Sequence, residues 1–274
     1  MAIVTLLTDF GTVDGYVGAM KGVILAGAPD AVVVDLTHDV PRHDVPAGAF
    51  ALAQASSFFP AGTIHVAVVD PGVGGARQAV VVDDGRHLFV APDNGLLAFA
   101  VPNPVAARAI APELWRASVC PTFHGRDVFA QAAAMLASGS PFAGAGPETH
   151  LEGKLSFEPL AWRADGSEIV GHVIHVDRFG NLVSDIPAAN LPPDAVTEVR
   201  MGSLVVGSVA KTYADVGRGS LVAYRGSSGT LEIAVREGSA AAEHRIGIGA
   251  EIVVSLGVVP DRMPGVERRA CCYP

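Results

Sequence analysis

Short apolar runs punctuate the first half of the chain. Ile3 to Leu7 is continuous and stops at Thr8-Asp9, and Ala31 to Leu36, Thr63 to Val69 and Ala79 to Val82 repeat the pattern. Positions that are apolar without alternation predict strands buried on both faces, as in a mostly parallel sheet. A further short strand is expected around Leu88 to Val90. Helices are predicted between the runs, over Tyr16 to Ala26, Gly48 to Phe58, Gly95 to Ala100 and Arg126 to Ala137. The last combines high alanine content with helical spacing of its apolar residues. Strands alternating with helices imply an α/β domain with helices on both faces of the sheet.

The pattern changes after about residue 140. Ser140 to Gly166 is interrupted by Gly and Pro and holds no period, which reads as a linker or crossover. Beyond it, Glu168–Val176, Glu198–Val205, Gly219–Tyr224, Thr230–Val235 and Glu251–Val254 read as short strands with little helix between them. A small all-β, barrel-like second domain is expected. The predicted organisation is an α/β domain over 1–155 with a linker to about 166, a β domain over 167–260, and a tail over 261–274.

Composition narrows the function classes. Half of the 274 residues are hydrophobic and 17% are charged, which excludes a chain too polar to offset its ordering entropy. Lys and Arg number 19 against 28 Asp and Glu, a formal charge of −9, so no nucleic-acid partner is expected. Cys120, Cys271 and Cys272 are odd in number and two are adjacent, so no disulfide framework is implied. The N-terminus lacks a basic leader, and no apolar stretch is long enough for a spanning helix. A cytoplasmic protein without membrane contact is the expectation.

In an open α/β sheet, ligands bind beyond the carboxyl ends of the strands. Four polar clusters stand at such places: Thr8-Asp9-Phe10-Gly11, Asp70-Pro71-Gly72-Val73-Gly74, Asp93-Asn94-Gly95 and Thr122-Phe123-His124-Gly125-Arg126-Asp127. Each also suits a plain turn or a helix cap. Gly72, Gly74 and Gly75 do not make a dinucleotide-binding fingerprint, and no nucleophile elbow is present. His38, Asp39, His43 and Asp44 crowd one segment, but at no standard zinc spacing, so no metal is expected. If their strands neighbour one another, Asp70, Arg77 and His124 form a group able to hold and polarise a water. In the second half, Asp177-Arg178-Phe179-Gly180-Asn181 reads as a hairpin turn. Its amide and its aromatic are also suited to a purine, by edge pairing and by stacking.

Six segments taken together resemble a known family, the adenosine-forming S-adenosyl-L-methionine hydrolases related to the fluorinating and chlorinating 5′-halogenases. They are LLTDFGTVDGYVGAMKGVI, VDPGVGGAR, APDNGLL, FHGRDVFA, VDRFGNLVSDI and SSGTLEIAV, in family order from Leu6 to about Val235. The resemblance implies an α/β domain followed by a β-barrel-like domain. It implies a homotrimer whose active sites join one subunit's first domain to the next subunit's second. The implied reaction is hydrolysis of S-adenosyl-L-methionine to adenosine and L-methionine, with the adenosyl compound as substrate and no cofactor. The implied water-activating residues are Asp70, Arg77 and His124. The ribose contact falls on Asp9, the adenine contacts on Phe179 and Asn181, and the methionine amine contacts on Asp177 and Ser227. The fluorinating relatives carry tyrosines where this chain has Asp70 and His124, and a halide-contacting serine where it has Gly125; this favours water over halide. The chain departs from the family at His43 and at Arg236. The alternatives are an S-adenosylmethionine or adenosine binding protein with little turnover, a 5′-halogenase, and a structural trimer.

Overall fold

The computed structural model describes residues 1–155, 161–162, 167–191 and 195–257; the expected tail, with Cys271 and Cys272, lies outside them. The chain divides into two compact units, Met1–Ser156 and Phe157–Pro274.

In the first unit the elements run β1 (Ile3–Thr8), α1 (Tyr16–Gly27), β2 (Val32–Thr37), α2 (Val45–Ser56), β3 (Ile64–Val68), β4 (Ala79–Asp83), β5 (Leu88–Pro92), β6 (Ala106–Ala109) and α3 (Ala130–Ala137). The sheet order is β2-β1-β3-β5-β4-β6. Strands β1, β3, β4 and β5 are buried at nearly every position, which accounts for their mostly apolar sequence, and the buried Thr5 and His65 bond one another. The run from Ala31 to Leu36 was expected to be buried on both faces, but it forms the edge strand β2, which is exposed or half-buried along its length. One core cluster joins Met20, Ile24, Val128 and Phe129 of the α1 and α3 side to Leu6, Val66 and Val81. A second joins Ala49 and Leu52 of α2 to Leu7, Ala67, Val80 and Phe89. Successive side chains of a strand point to opposite faces, so Leu6 and Leu7 enter different cores.

The sheet, the helices and the linker each depart from expectation. The sheet is mixed, not mostly parallel: β2, β1, β3 and β5 are parallel, whereas β4 is antiparallel to both β5 and β6. The link from β4 to β5 is only Asp84 to His87, too short for the crossover that parallel pairing requires. Gly95 to Ala100 forms turns instead of a helix; the Asn94 side chain takes the Leu96 N–H, and Pro102 closes the segment. The helix expected from Arg126 opens with a π-helical turn, Gly125–Phe129, in which the Ala130 N–H reaches Gly125 O, and becomes α-helical only at Ala130. Helix α2 starts earlier than its apolar pattern suggested, because the Asp44 side chain accepts from Ala47 N at 2.9 Å and Pro46 suits the first turn. Part of the expected linker is tied to this unit: Ala109 N bonds Pro147 O, and Glu152 N and Gly153 N bond the Asp93 carboxylate.

The second unit carries β7 (Ala161–Trp162), β8 (Glu168–Val176), β9 (Leu182–Pro187), β10 (Val196–Met201), β11 (Leu204–Gly207), β12 (Val209–Ala210), β13 (Leu221–Arg225), β14 (Thr230–Val235), α4 (Ala240–His244) and β15 (Glu251–Leu256). The sheet runs β11-β10-β15-β8-β9-β14-β13-β12, with β7 beside β8. Because β11 also lies against β13 and β10 against β12, the sheet curls nearly to closure as a barrel. Its core gathers Ile169, Leu182, Ile186, Val199, Leu231, Ile233 and Val254. The single strand expected over Glu198–Val205 is a hairpin, β10 and β11, turning at Gly202 and Ser203, with Gly202 in the left-handed region at φ 55°.

Candidate active site

Asp9 follows β1 and Asp70 follows β3, two adjacent parallel strands, so both carboxylates emerge at the same end of the sheet. Arg77 lies just before β4, and His124 ends the loop that opens into the π-helical turn. Pro121 of that loop packs on the turn after β3. Gly74 there has φ 77°, and a Cβ on it would meet Pro121 O at 2.9 Å, so a side chain would separate the two segments.

The structure brings Asp70, Arg77 and His124 together. Arg77 Nε donates to both Asp70 oxygens at 3.0 Å, and its Nη2 donates to Asp70 Oδ2 and, at 3.0 Å, to His124 Nδ1. The ion pair is largely buried, with 4% of the Asp70 side chain exposed. A guanidinium only donates, so His124 Nδ1 is the acceptor and the neutral ring carries its proton on Nε2. Burial, reinforced by the Arg77 charge, holds the His124 pKa below its ordinary value and keeps that neutral form.

The surroundings fix this group. The Arg77 guanidinium sits 5.3 Å from the centre of the Phe129 ring, which belongs to the core. Trp115 lies 5.7 Å from the His124 ring. Phe10, Tyr16 and Phe123 pack edge to face or tilted beside them. Asp127, fully buried, accepts from Arg126 Nε and Nη2 at 2.6 and 2.7 Å and from Cys120 N at 2.8 Å. That carboxylate pins both ends of the loop bearing His124, and the Arg126 bonds hold its pKa low.

Asp9 accepts from His43 N at 2.8 Å, with His43 in the left-handed region at φ 67°. The residues of the crowded histidine segment have protein partners. His38 Nδ1 bonds Thr8 Oγ1 at 2.9 Å, its Nε2 lies 3.0 Å from Asp35 Oδ1, and Asp44 caps α2. Among the described residues, no three His, Cys, Asp or Glu side chains gather to hold an ion. Thr8 and His38, both buried, thus anchor the turn that carries Asp9, a role their sequence spacing did not signal.

The remaining candidates lie in the second unit. Asp177 and Asn181 close the turn between β8 and β9. Asp177 Oδ1 accepts from Phe179 N at 2.9 Å and Asn181 N at 2.8 Å, while Oδ2 accepts from Asn181 Nδ2 at 2.8 Å. The turn reading of this segment is therefore correct, and the same turn leaves Phe179 76% exposed. Ser227 is exposed on the turn before β14, next to buried Ser228. Tyr213 lies 3.5 Å from Asn181 Nδ2 and is followed by Tyr224 and then Glu232, none of them singled out from the sequence.

Residues 4–146 match the SAM hydroxide adenosyltransferase N-terminal domain, and residues 171–253 match the C-terminal domain of the same family. The chain belongs to the SAM hydroxide adenosyltransferase family. One relative in this family, the (R)-S-adenosyl-L-methionine hydrolase of Thermus thermophilus, is 44% identical over 88% of this chain and 94% of its own. The enzyme of that name from Salinispora tropica is 39% identical over 87% and 92%. A fluorinase from Nocardia brasiliensis is more distant, at 27% identity over 93% and 97%. Among solved structures, an uncharacterized conserved protein from Thermotoga maritima superposes with a TM-score of 0.84 at 35% identity, covering 92% of this chain and 99% of that one.

Proposed function

We propose that this member of the SAM hydroxide adenosyltransferase family hydrolyses (R)-S-adenosyl-L-methionine to adenosine and L-methionine. The observation that carries the reading is the Asp70–Arg77–His124 group at the carboxyl end of β3. Curated relatives at 44% and 39% identity bearing the hydrolase name support it.

Water attacks the ribose C5′ in line with the sulfonium. The C5′–O bond forms, the C5′–S bond breaks with its electron pair going to sulfur, and the water loses one proton. Methionine leaves as a neutral thioether, so the leaving group needs no acid. Bulk water has a pKa of about 15.7, against about 3.9 for an ordinary aspartate. Asp70 therefore does not ionise the water beforehand; it accepts the proton as the new bond forms. Arg77 fixes the carboxylate through two nitrogens and orients the His124 ring, whose Nε2–H is the donor left to hold the water oxygen. Positive charge at sulfur is lost in the step, so a site that excludes water favours it.

In this reading Asp9 takes the ribose hydroxyls. Phe179 and Asn181 take the adenine, and Asp177 and Ser227 the methionine amine. The two sets belong to different units, and the proposed homotrimer supplies them to one substrate from neighbouring subunits. A native mass of three chains supports that assembly, and a monomer overturns it. The proposed location is the cytoplasm; among the described residues no helix is long and apolar enough to cross a membrane.

The test is product analysis by mass after incubation with each sulfur epimer in oxygen-18 water, with and without chloride. Multiple turnovers to labelled adenosine and methionine, faster with the R epimer, support the proposal. Substrate bound but not consumed marks a binding protein, and a 5′-chloro product marks a halogenase; either overturns it.

A further inference from the structure

A chain of hydrogen bonds crosses the second unit from a buried carboxylate to the amide at the β8–β9 turn. Glu232, on β14 and 7% exposed, accepts from Ser228 Oγ at 2.8 Å on Oε1 and from the Tyr224 hydroxyl at 2.6 Å on Oε2. The Tyr213 hydroxyl bonds the Tyr224 hydroxyl at 2.6 Å, and Asn181 Nδ2 reaches the Tyr213 hydroxyl at 3.5 Å, the longest link. The two tyrosine rings pack at 4.7 Å between centroids. Glu232 lies directly over Gly226, where any Cβ would collide with it, so the backbone itself makes room for the carboxylate.

The chain has one direction. A carboxylate accepts and does not donate, so Tyr224 must point its proton at Glu232. The Tyr224 oxygen then has only lone pairs for Tyr213, which must in turn point its proton at Tyr224. Tyr213 is left with an acceptor oxygen. At the other end, the Asp177 carboxylate takes one N–H of Asn181 and the Tyr213 oxygen faces the other, and the two acceptors together hold the amide orientation. Both nitrogen protons of Asn181 therefore face protein partners, and its carbonyl oxygen is the atom it presents. Burial, with the Glu232 bond, also raises the pKa of Tyr224, so its proton stays in place.

We infer that Glu232, acting through Tyr224 and Tyr213, sets the polarity of the edge that takes the nucleobase, so that it presents acceptors and selects a ring bearing an exocyclic amino group over one bearing a carbonyl. Glu232 is a positioning residue in this account and touches no substrate. The inference rests on the proposed placement of the base at Asn181 and deepens it by naming the group that is read. A base with a carbonyl at that position meets acceptor against acceptor, which a buried polar site rejects strongly.

The experiment compares kcat/KM for S-adenosyl-L-methionine with that for its 6-oxo analogue, S-inosyl-L-methionine, in the wild type and in Glu232→Gln, Tyr224→Phe and Asn181→Ala. Wild type should favour the amino substrate by about 100-fold or more. Glutamine can donate to Tyr224 and let both hydroxyls turn round, and phenylalanine cuts the chain. Each should lower the amino-to-oxo ratio about tenfold, while a purely structural lesion lowers both substrates alike. A fall of the ratio in either variant supports the inference. A ratio unchanged in both, while Asn181→Ala collapses it, overturns the inference and leaves the base placement standing. A ratio and kcat/KM unmoved by Asn181→Ala overturn both.

Discussion

The two polar groups of this protein differ in kind. Asp70, Arg77 and His124 form a charged cluster closed by one guanidinium, assembled from two loops. Asp177, Asn181, Tyr213, Tyr224 and Glu232 form a line in which hydroxyls and an amide run between two carboxylates. The first suits chemistry, because a fixed charge beside a neutral imidazole can hold a small nucleophile and take its proton. The second suits recognition, because its bonds have a direction and fix which atoms face outward. In the proposed function the work divides accordingly: proton handling on the sheet ends of the α/β unit, reading of the ligand on the turns of the β unit. A third group, His65 with His87 and Thr5, is buried within the first unit, His65 and Thr5 without exposed surface.

The sharpest way to break the comparison is at Arg77. Arg77→Ala should lower kcat by about 10² to 10⁴, with KM within a few-fold of wild type, because in the proposed function the group acts on the attacking water and not on substrate affinity. Steady-state kinetics on variant protein of unchanged melting temperature decide this; a loss confined to KM would move the cluster from chemistry to binding.

The enclosed histidine should separate stability from activity. Burial, with His87 nearby, depresses the His65 pKa from 6.5 to about 3. The native state thus refuses a proton that the unfolded chain accepts. Stability from this residue is complete above about pH 6.5 and falls as pH drops toward about 3, by about 1.4 kcal/mol per unit. Urea midpoints between pH 7 and 5 should decline in wild type, and the decline should be shallower in His65→Gln. Equal slopes in the two proteins would show that His65 carries no such linkage.

The smallest effect is expected on the recognition side. Asn181→Ala should raise KM about tenfold, the equivalent of about 1.4 kcal/mol, with kcat within a few-fold. A fall in kcat as large as that of Arg77→Ala would erase the distinction between the two groups.

Much of this was legible in the residues. The apolar runs marked β1 to β5, and the strand-end polar clusters marked Asp9, Asp70 and the loop of His124. The union of Asp70 and Arg77 was readable because they are seven residues apart around one turn. Tyr213, Tyr224 and Glu232 were not readable, because an acid and a tyrosine in short apolar strands give no sign of facing one another. The partners of His38 were not readable either, because Thr8 and Asp35 come from two different strands.

The sequence by itself determined the local matters: where most strands lie, where they end in polar turns, and the two-part texture of the chain, because residue pattern and turn chemistry act over a few residues. Tertiary structure alone decided the rest. The antiparallel seat of β4 follows from a four-residue link that folds back, and the tautomer of His124 follows from a guanidinium 47 positions away in the chain. The direction of the Glu232 chain likewise depends on hydrogen-bond partners on separate strands and turns. Proton positions are set by whichever donors and acceptors pack together, and that is a property of the folded arrangement.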